Sequence, residues 1–345
     1  MREKLKETIM DPAEAVKEIQ IPLYNEILEK IKSRYQKKGG KDYEKEIKSI
    51  ELVYNVINSK TLSVLKLEKL LKNLHYFYWG LIEVNYDKKK IYDSIKCIKK
   101  SRILLKKFWV NYRNEILAAN NLKEMKSISR EARGRMISSI KRCSKSLEYL
   151  RNLVITMSSF QGLDPYRKTL IIAGPPNSGK STIVSAITNA KTKVAPYPFT
   201  TKDIIIGHFI LDNNQVIQVI DTPGLLDRNI NEMNEIERKA ISALKYLDGL
   251  ILFLIDPSKE AYINLNNQIN IINDIKSIIA NKKIILFINK IDLLNETEIE
   301  KVEKTINEIK HELGLDTYYK ISALNNKKEL INLIKDIVKS NLLAS

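Results

Sequence analysis

The chain has 345 residues, of which 44% are hydrophobic and 29% are charged, and its formal net charge is +17. That length exceeds what a single core usually holds, and the composition argues against wholesale disorder, so we expect two folded domains. Its two cysteines, Cys97 and Cys143, exclude a disulfide-dense scaffold or a cysteine-rich zinc site and favour a reducing compartment.

The sequence contains no segment typical of a membrane span or a signal peptide. No run of about eighteen uncharged apolar residues occurs, and the first residues, MREKLKETIM, lack an apolar stretch. We therefore expect a soluble, cytoplasmic protein with no stable membrane association.

The positive charge is confined to one part of the chain. Residues 1–168 carry the whole net charge of +17, whereas the charges of residues 169–345 cancel. Lysine and arginine set against phosphates release condensed counterions, so this excess favours a polyanionic partner. An anionic membrane surface is an alternative explanation of the same charge.

The first half of the sequence is typical of helices. Apolar residues recur at helical spacing, and proline is absent between Pro22 and Pro165. The predicted helical segments run from Pro12 to the Gly39-Gly40 pair and over about 42–59, 61–85, 88–118 and 122–157. They predict an N-terminal all-helical basic bundle, which we place at residues 1–167.

The second half alternates short apolar runs with longer amphipathic segments. The predicted strands are 169–173, 203–210, 215–220, 250–255, 283–288 and 318–321. Strands separated by helices predict a mostly parallel sheet flanked by helices, with one hairpin at 212–214. The fold class is therefore α plus α/β, with the α/β domain at residues 168–345.

A phosphate-binding pattern, GPPNSGKS, lies between the first predicted strand and the next helix. Glycine lets the backbone fold tightly around phosphate oxygens, and the amides of the loop and helix N-terminus supply fixed positive ends. Lys180 would reach the β- and γ-phosphates, and Ser181 can bind Mg²⁺. The pattern and its strand–loop–helix context predict a nucleotide-binding P-loop.

Three further motifs, Asp221–Gly224, Asn289–Asp292 and Ser322–Leu324, each follow a predicted strand. Ligands bind at this edge of open α/β sheets. Asp221 can hold the Mg²⁺ shell, and Gly224 offers an N–H to the γ-phosphate. Asp292 can accept hydrogen bonds from the N1–H and N2–H₂ groups of guanine, a donor pair that adenine lacks. The motifs therefore predict guanine as the base.

These motifs, together with YPFTT at Tyr197–Thr201 and Gly207, resemble the Obg-like group of translation-factor-related P-loop GTPases. The resemblance implies Lys180, Thr201 and Gly224 as catalytic residues, and Mg²⁺ ligands at Ser181, Thr201 (with Thr200 as the alternative) and Asp221. It also implies the following nucleotide-binding residues: Gly174, Pro175, Pro176, Asn177, Ser178, Gly179, Lys180, Ser181, Thr182, Asp221, Asn289, Lys290, Asp292, Ser322, Ala323 and Leu324.

One position departs from Ras-like GTPases. Leu225 stands where those proteins place a glutamine that orients the attacking water, and leucine cannot hydrogen-bond water. Asn177 matches an asparagine that helps to hold K⁺ in relatives of this kind. We therefore expect slow intrinsic GTP hydrolysis that K⁺ or a ribosomal partner stimulates.

Residues 131–153, with 197–208 and 92–114, resemble the Nog1 GTPases that assemble the large ribosomal subunit, in a short archaeal-type form. This resemblance implies a GTP/GDP switch in 50S/60S subunit biogenesis, with rRNA and proteins of the subunit precursor as partners.

One predicted helix carries a strong cationic excess. Solvated helix faces usually mix charges of both signs, whereas this one favours contact with the RNA backbone. The residues that we expect to contact RNA are Arg130, Arg133, Arg135, Lys141, Arg142, Lys145 and Arg151.

Two other functions remain open from the sequence. In one, the protein is a GTPase at a membrane surface with the basic bundle as a lipid-binding arm. In the other, it is a nucleotide-sensing RNA chaperone that does not require hydrolysis.

Overall fold

The computed structural model describes residues 12–35, 42–188, 192–279, 282–315 and 317–343. The chain divides into two compact units, which we call the helical unit (residues 1–74 and 85–159) and the sheet unit (residues 75–84 and 160–345). The expected boundary at 167/168 therefore lies eight residues after the point where the units part. The combination of a helical unit and an α/β unit confirms the predicted fold class.

The helical unit is built from helices that pack against one another. Their bounds are α1 Pro12–Lys17, α2 Tyr24–Tyr35, α3 Asp42–Lys60, α4 Leu62–Lys72, α6 Lys88–Ala118, α7 Leu122–Lys141 and α8 Ser144–Met157. Helix α6 begins where the Asp87 carboxylate accepts from the Lys90 N–H at 2.6 Å, and α7 begins where Asn121 caps Glu124 at 2.9 Å. Such caps satisfy backbone donors that have no partner within the helix.

Helix α6 is the longest helix of the unit, and one face of it is buried. Ile91, Ile95, Ile98, Leu105 and Ile116 are at most 2% exposed and recur at intervals of three, four, seven and eleven residues. This spacing places them on one stripe, against which α3, α7 and α8 pack.

The single helix that was predicted over 122–157 is wrong, because α7 ends at Lys141 and α8 begins at Ser144. Neither glycine nor proline occurs at this break, so the sequence contains no signal for it. The two cysteines, whose small number favoured a reducing compartment, form a disulfide between Cys97 of α6 and Cys143, with their Cα atoms 6.0 Å apart. They are 46 residues apart in sequence, and only helix packing brings them together.

Residues 75–84 form helix α5 (Tyr76–Ile82), which packs inside the sheet unit against the 3₁₀ helix Ala243–Tyr246. Phe77 and Tyr78 are buried at 2% exposure. A Cβ atom on Gly80 would lie 3.0 Å from the Cβ of Ala243, so glycine permits the close approach of these two segments.

The sheet unit contains a seven-stranded sheet within the described ranges. The strands are β1 Thr169–Ala173, β2 Lys193–Pro196, β3 Asp203–Ile210, β4 Val216–Asp221, β5 Gly249–Ile255, β6 Ile284–Ile288 and β7 Tyr318–Lys320. The remaining helices are α9 Lys180–Ile187, α10 Glu235–Ser242, α11 Leu265–Ile278, α12 Glu296–Ile309 and α13 Lys327–Val338. The spatial strand order is β2-β3-β4-β1-β5-β6-β7.

The centre of this sheet is parallel and completely buried. Strand β1 pairs in parallel with β4 and β5, where Ile171 lies opposite Ile220 and Ile251. Strands β2 and β3 are antiparallel to their neighbours. The carboxyl ends of β1, β4, β5 and β6 therefore meet at one edge, and the loops that follow them carry the predicted motifs.

Among the described residues, no helix combines the length and the apolar character needed to cross a bilayer.

Candidate functional site

The P-loop joins β1 to α9 in a backbone conformation that requires glycine. Gly174 has φ 139°, and a Cβ atom there would lie 2.3 Å from the carbonyl oxygen of Leu254. Gly179 has φ 101°, and its Cβ atom would lie 2.3 Å from the Nδ2 atom of Asn289. Any larger residue would be strained and would push neighbouring atoms away. Asn177, at φ 60°, is exposed at the bend of the loop.

Lys180 lies beneath this loop with its ammonium group directed at the backbone. Its Nζ atom donates to the carbonyl oxygens of Gly174 and Pro175, both at 2.8 Å, and the residue is 7% exposed. Burial lowers the pKa of Lys180, and the nearby carboxylates of Asp227 and Asp221 oppose that shift. A phosphate group at the loop would supply a stronger acceptor for this charge.

Two side chains at the start of α9 and the end of β4 form a group suited to a divalent cation. The Ser181 hydroxyl donates to Oδ2 of Asp221 at 3.1 Å. Asp221 is completely buried, and its Oδ1 atom has no hydrogen-bond partner. Burial raises the pKa of Asp221, while the Ser181 hydrogen bond and the Lys180 charge lower it. An unpartnered buried carboxylate oxygen beside a hydroxyl fits Mg²⁺, which prefers hard oxygen ligands.

The segment Tyr197–Thr201 precedes β3. Thr200 is committed to local structure, because its hydroxyl donates to the Tyr197 carbonyl at 2.9 Å and accepts from the Lys202 N–H at 3.2 Å. Thr201 is exposed and makes no hydrogen bond to Ser181 or Asp221. Of the two threonines, Thr201 is therefore the one whose hydroxyl is available to a ligand.

The loop after β4 begins with Asp221 and contains Gly224, whose N–H donates to the Asp227 carboxylate at 2.7 Å. Leu225 is 2% exposed and packs into the protein. Its side chain is therefore directed away from solvent, as its chemistry predicts.

The loops after β6 and β7 meet at Asn289, which is 2% exposed. Its Nδ2 atom donates to the Ser178 carbonyl at 2.8 Å, and its Oδ1 atom accepts from the Ala323 N–H at 3.0 Å. One side chain thus ties the P-loop to the Ser322–Leu324 segment. The hydroxyl of Ser178 is buried and unpartnered.

Lys290 and Asp292 flank this junction. Lys290 has φ 60° and forms an ion pair with Asp256, a buried residue at the end of β5. Asp292 lies exposed in the 3₁₀ helix Ile291–Leu293, and Leu324 is 80% exposed. These two residues follow the neighbouring strands β6 and β7. An exposed carboxylate and an exposed apolar side chain suit a flat base that presents donors at its edge.

Sequence reasoning missed several residues that shape this site. Asp227 and Asp256 lie outside the quoted motifs, although Asp256 follows a predicted strand. Tyr197 belongs to the Tyr197–Thr201 motif, but no role was predicted for it. The buried Tyr197 hydroxyl donates to the Ala240 carbonyl of α10 at 2.9 Å. That contact connects the Tyr197–Thr201 segment to the helix that follows Gly224.

The seven predicted RNA-contacting cations separate into two groups in the helical unit. Three of them have partners within the unit. Arg133 donates to the Tyr35 hydroxyl at 2.7 Å, and ion pairs join Arg135 to Glu131 and Arg151 to Glu26. The other four are exposed and have no ion-pair partner among the described residues: Arg130, Lys141, Arg142 and Lys145. These four are free for an external anion.

A cleft of about 610 Å³ lies between α3, α4 and α6 of the helical unit and not at the nucleotide motifs. Lys99, Lys106 and Lys107 line it together with the exposed Ile103. Lys99 pairs with Glu68, whereas Lys106 and Lys107 are exposed and have no ion-pair partner among the described residues.

Two family models match this chain. Residues 17–164 match the family model described as the NOG1 N-terminal helical domain, and residues 169–290 match the one described as a 50S ribosome-binding GTPase. Nucleolar GTP-binding protein 1 of Drosophila melanogaster is 36% identical over 237 residues, which cover 68% of this chain and 36% of that protein. The Saccharomyces cerevisiae protein of the same name is 32% identical over 242 residues, which cover 68% and 37%.

The chain spans about a third of the length of the curated relatives that it matches. Among solved structures, a putative nucleolar GTP-binding protein 1 from Plasmodium falciparum is 32% identical, covers 53% of this chain and 94% of that one, and has a TM-score of 0.40. The prediction of a cytoplasmic location is contradicted, because these relatives are nucleolar by name.

Proposed function

We propose that this chain, which belongs to the Nog1 family of GTPases, binds GTP, hydrolyses it to GDP and phosphate, and acts as a switch in the assembly of the large ribosomal subunit. The observation that carries the proposal is the position of Asn289, whose side chain binds the P-loop carbonyl of Ser178 and the amide of Ala323. This contact supports the proposal that the two segments bind the phosphates and the base of one nucleotide.

The phosphates would lie against the P-loop amides and Lys180. The Lys180 ammonium group would exchange two backbone carbonyls for phosphate oxygens. Ser181, Thr201 and Asp221 would hold Mg²⁺, which neutralises the negative charge that develops on the transferred phosphate. Gly224 and Thr201 would respond to the terminal phosphate, and the release of that phosphate would free both segments.

Intrinsic hydrolysis would be slow because Leu225 is buried and cannot orient water. The exposed Asn177 at the bend of the P-loop would help to hold K⁺, which would supply positive charge in place of an arginine finger. A large ribosomal partner is the other source of stimulation that we propose.

Turnover measurements test this part of the proposal. The purified chain should hydrolyse GTP with Mg²⁺, and Lys180→Ala should abolish turnover. Rates should be higher in KCl than in NaCl at the same ionic strength. Equal rates in the two salts would remove the role of potassium, and turnover that survives Lys180→Ala would place hydrolysis elsewhere.

The helical unit would bind rRNA of the subunit precursor through its cationic surface. The exposed Arg130, Lys141, Arg142 and Lys145 favour this function, because phosphate contacts need charges that no internal carboxylate neutralises. Retention of large-subunit rRNA, compared with flotation on anionic liposomes, both at about 0.15 M salt, separates RNA binding from a membrane-surface role. Preference for liposomes would contradict the proposal.

A nucleotide-sensing RNA chaperone is distinguished by a different experiment. If hydrolysis is required, cells whose only copy carries Lys180→Ala should accumulate immature large subunits. Full maturation with that variant would instead favour a passive nucleotide sensor.

A further inference from the structure

In the loop after β4, the carboxylate of Asp227 accepts a hydrogen bond from the backbone of the same loop. The N–H of Gly224, which a terminal phosphate would need as a hydrogen-bond donor, is taken by Oδ2 of Asp227 at 2.7 Å. An ionised carboxylate is a strong acceptor for a backbone N–H, and it carries the same sign of charge as a phosphate oxygen.

The turn that holds Asp227 in this place is fixed to the P-loop. The N–H groups of Leu225 and Leu226 donate to the Thr222 carbonyl at 3.1 and 3.4 Å, and both leucine side chains are buried. The carbonyl of Leu226 accepts from the N–H of Gly174 at 3.3 Å. The residue before Asp227 is thus hydrogen-bonded to the first glycine of the P-loop.

Asp227 also acts electrostatically on the phosphate-binding lysine. Burial lowers the pKa of Lys180, and the carboxylate of Asp227 opposes that shift more strongly than the carboxylate of Asp221 does.

We infer that Asp227 is a specificity-determining residue that sets the preference of this site for a nucleoside diphosphate over a triphosphate. This inference rests on the proposed function, since it presupposes a guanine-nucleotide site. A diphosphate does not extend to Gly224, so it binds with the Asp227 contact intact. A triphosphate must displace the carboxylate from Gly224 and then lies beside it, and like charges repel at that distance. The terminal phosphate therefore competes with the Asp227 carboxylate for the N–H of Gly224.

The same hydrogen bond could serve only to cap the turn. The two roles differ in their dependence on charge. In Asp227→Asn the amide oxygen can still accept from Gly224, so the turn stays capped, but the negative charge is absent. Asp227→Ala removes both the acceptor and the charge.

The test is a comparison of dissociation constants for fluorescent GDP and for a fluorescent, non-hydrolysable GTP analogue. It uses the full-length chain with Mg²⁺ present. Asp227→Ala should bind the analogue about tenfold more tightly than the unmodified chain, the usual size of one hydrogen bond to a charged group. Asp227→Asn should also bind it more tightly, because the repelling charge is absent. Affinity for GDP should rise less than affinity for the analogue, because GDP does not extend to Gly224, so the ratio of the two affinities should shift toward the triphosphate.

Asp274→Asn is the matched control. Asp274 also accepts from a backbone N–H after β4, that of Ile230 at 2.8 Å, but it lies on α11 outside the turn. This variant should leave the ratio of the two affinities unchanged.

Two results would overturn the inference. If the unmodified chain binds both nucleotides and neither Asp227 variant changes the affinity ratio, Asp227 is only a cap and the proposed function is unaffected. If the unmodified chain binds neither nucleotide, the proposed function fails together with the inference.

Discussion

Asp256 and Lys290 form an ion pair in which Asp256 is 2% exposed and the lysine directly follows Asn289. Asp256 also accepts from the N–H and the hydroxyl of Ser258, at 3.0 and 2.6 Å. The pair therefore anchors the Asn289–Asp292 segment to the end of β5.

Replacement of Asp256 by alanine should destabilise the sheet unit. The change leaves Lys290 without its anion and Ser258 without its acceptor, and we expect a loss of about 1–3 kcal/mol in the free energy of unfolding. Affinity for GDP should fall as well, because Lys290 and Asn289 lose a fixed position. Urea denaturation and GDP titration measure the two effects.

Asp212→Ala is the control for this prediction. Asp212 pairs with Lys335 and Lys339, but its side chain is 59% exposed, so water screens the interaction. Its loss should change stability by less than about 1 kcal/mol. Equal effects of the two substitutions would contradict the anchoring role of Asp256.

Two glycine-to-alanine substitutions should have opposite effects. At Gly179 the new Cβ atom would lie 2.3 Å from Asn289 in a left-handed backbone, so Gly179→Ala should destabilise the sheet unit and abolish nucleotide binding. Gly134 lies in α7 with no atom within 4 Å of its Cβ position, so Gly134→Ala should stabilise the helical unit by up to about 1 kcal/mol. Thermal unfolding and GDP binding distinguish the two outcomes, and a destabilising Gly134→Ala would reveal a contact at that face.

The cationic residues of the helical unit should separate into structural and RNA-binding groups. Arg133 donates to the Tyr35 and Ser49 hydroxyls at 2.7 and 3.1 Å and lies 4.0 Å from Glu46, so Arg133→Ala should cost about 1–3 kcal/mol of stability. Lys145→Ala should leave stability within about 0.5 kcal/mol. It should instead weaken rRNA binding. The slope of the logarithm of the rRNA association constant against the logarithm of salt concentration should become shallower by about one.

Urea unfolding and rRNA binding at several salt concentrations measure these effects. A large loss of stability in Lys145→Ala would contradict the division into structural and RNA-binding residues. An unchanged salt dependence of rRNA binding in this variant would contradict it as well.

The disulfide between Cys97 and Cys143 should stabilise the helical unit. It closes a loop of 46 residues, and crosslinks of this kind typically contribute about 2–4 kcal/mol by restricting the unfolded chain. Reduction with dithiothreitol should therefore lower the melting temperature of the unmodified chain. The Cys97→Ser/Cys143→Ser variant should melt at the lower temperature with or without reductant, and identical melting of all samples would contradict a formed disulfide.

The sequence predicted the buried centre of the sheet well, and its edge poorly. Strands β1 and β5 are continuous apolar runs between turn signals, which is the pattern of a strand buried on both faces. Strand β2 was missed because it lies at the edge, with Val194 61% exposed and Pro196 at its end, and such residues do not stand out from a loop.

The motifs identified the segments that meet at the site, but not the side chains that hold those segments in place. Asn289 and Lys180 belong to patterns whose chemistry is legible in sequence. The roles of Asp227 and Asp256 depend on distances to Gly224 and Lys290 that exist only in the folded chain. An aspartate in a loop carries no sequence signal that separates a buried acceptor from a solvated charge.

The identity of the base tests the central claim most directly. Calorimetric titration of the purified chain with GDP and with ADP, both with Mg²⁺, compares the two purines at the exposed carboxylate of Asp292. We predict one GDP bound per chain and an affinity for ADP at least about 100-fold lower, because adenine would leave that carboxylate without its two donors. Asp292→Asn should remove most of this preference for GDP. Equal affinity of the unmodified chain for ADP and GDP would contradict the account.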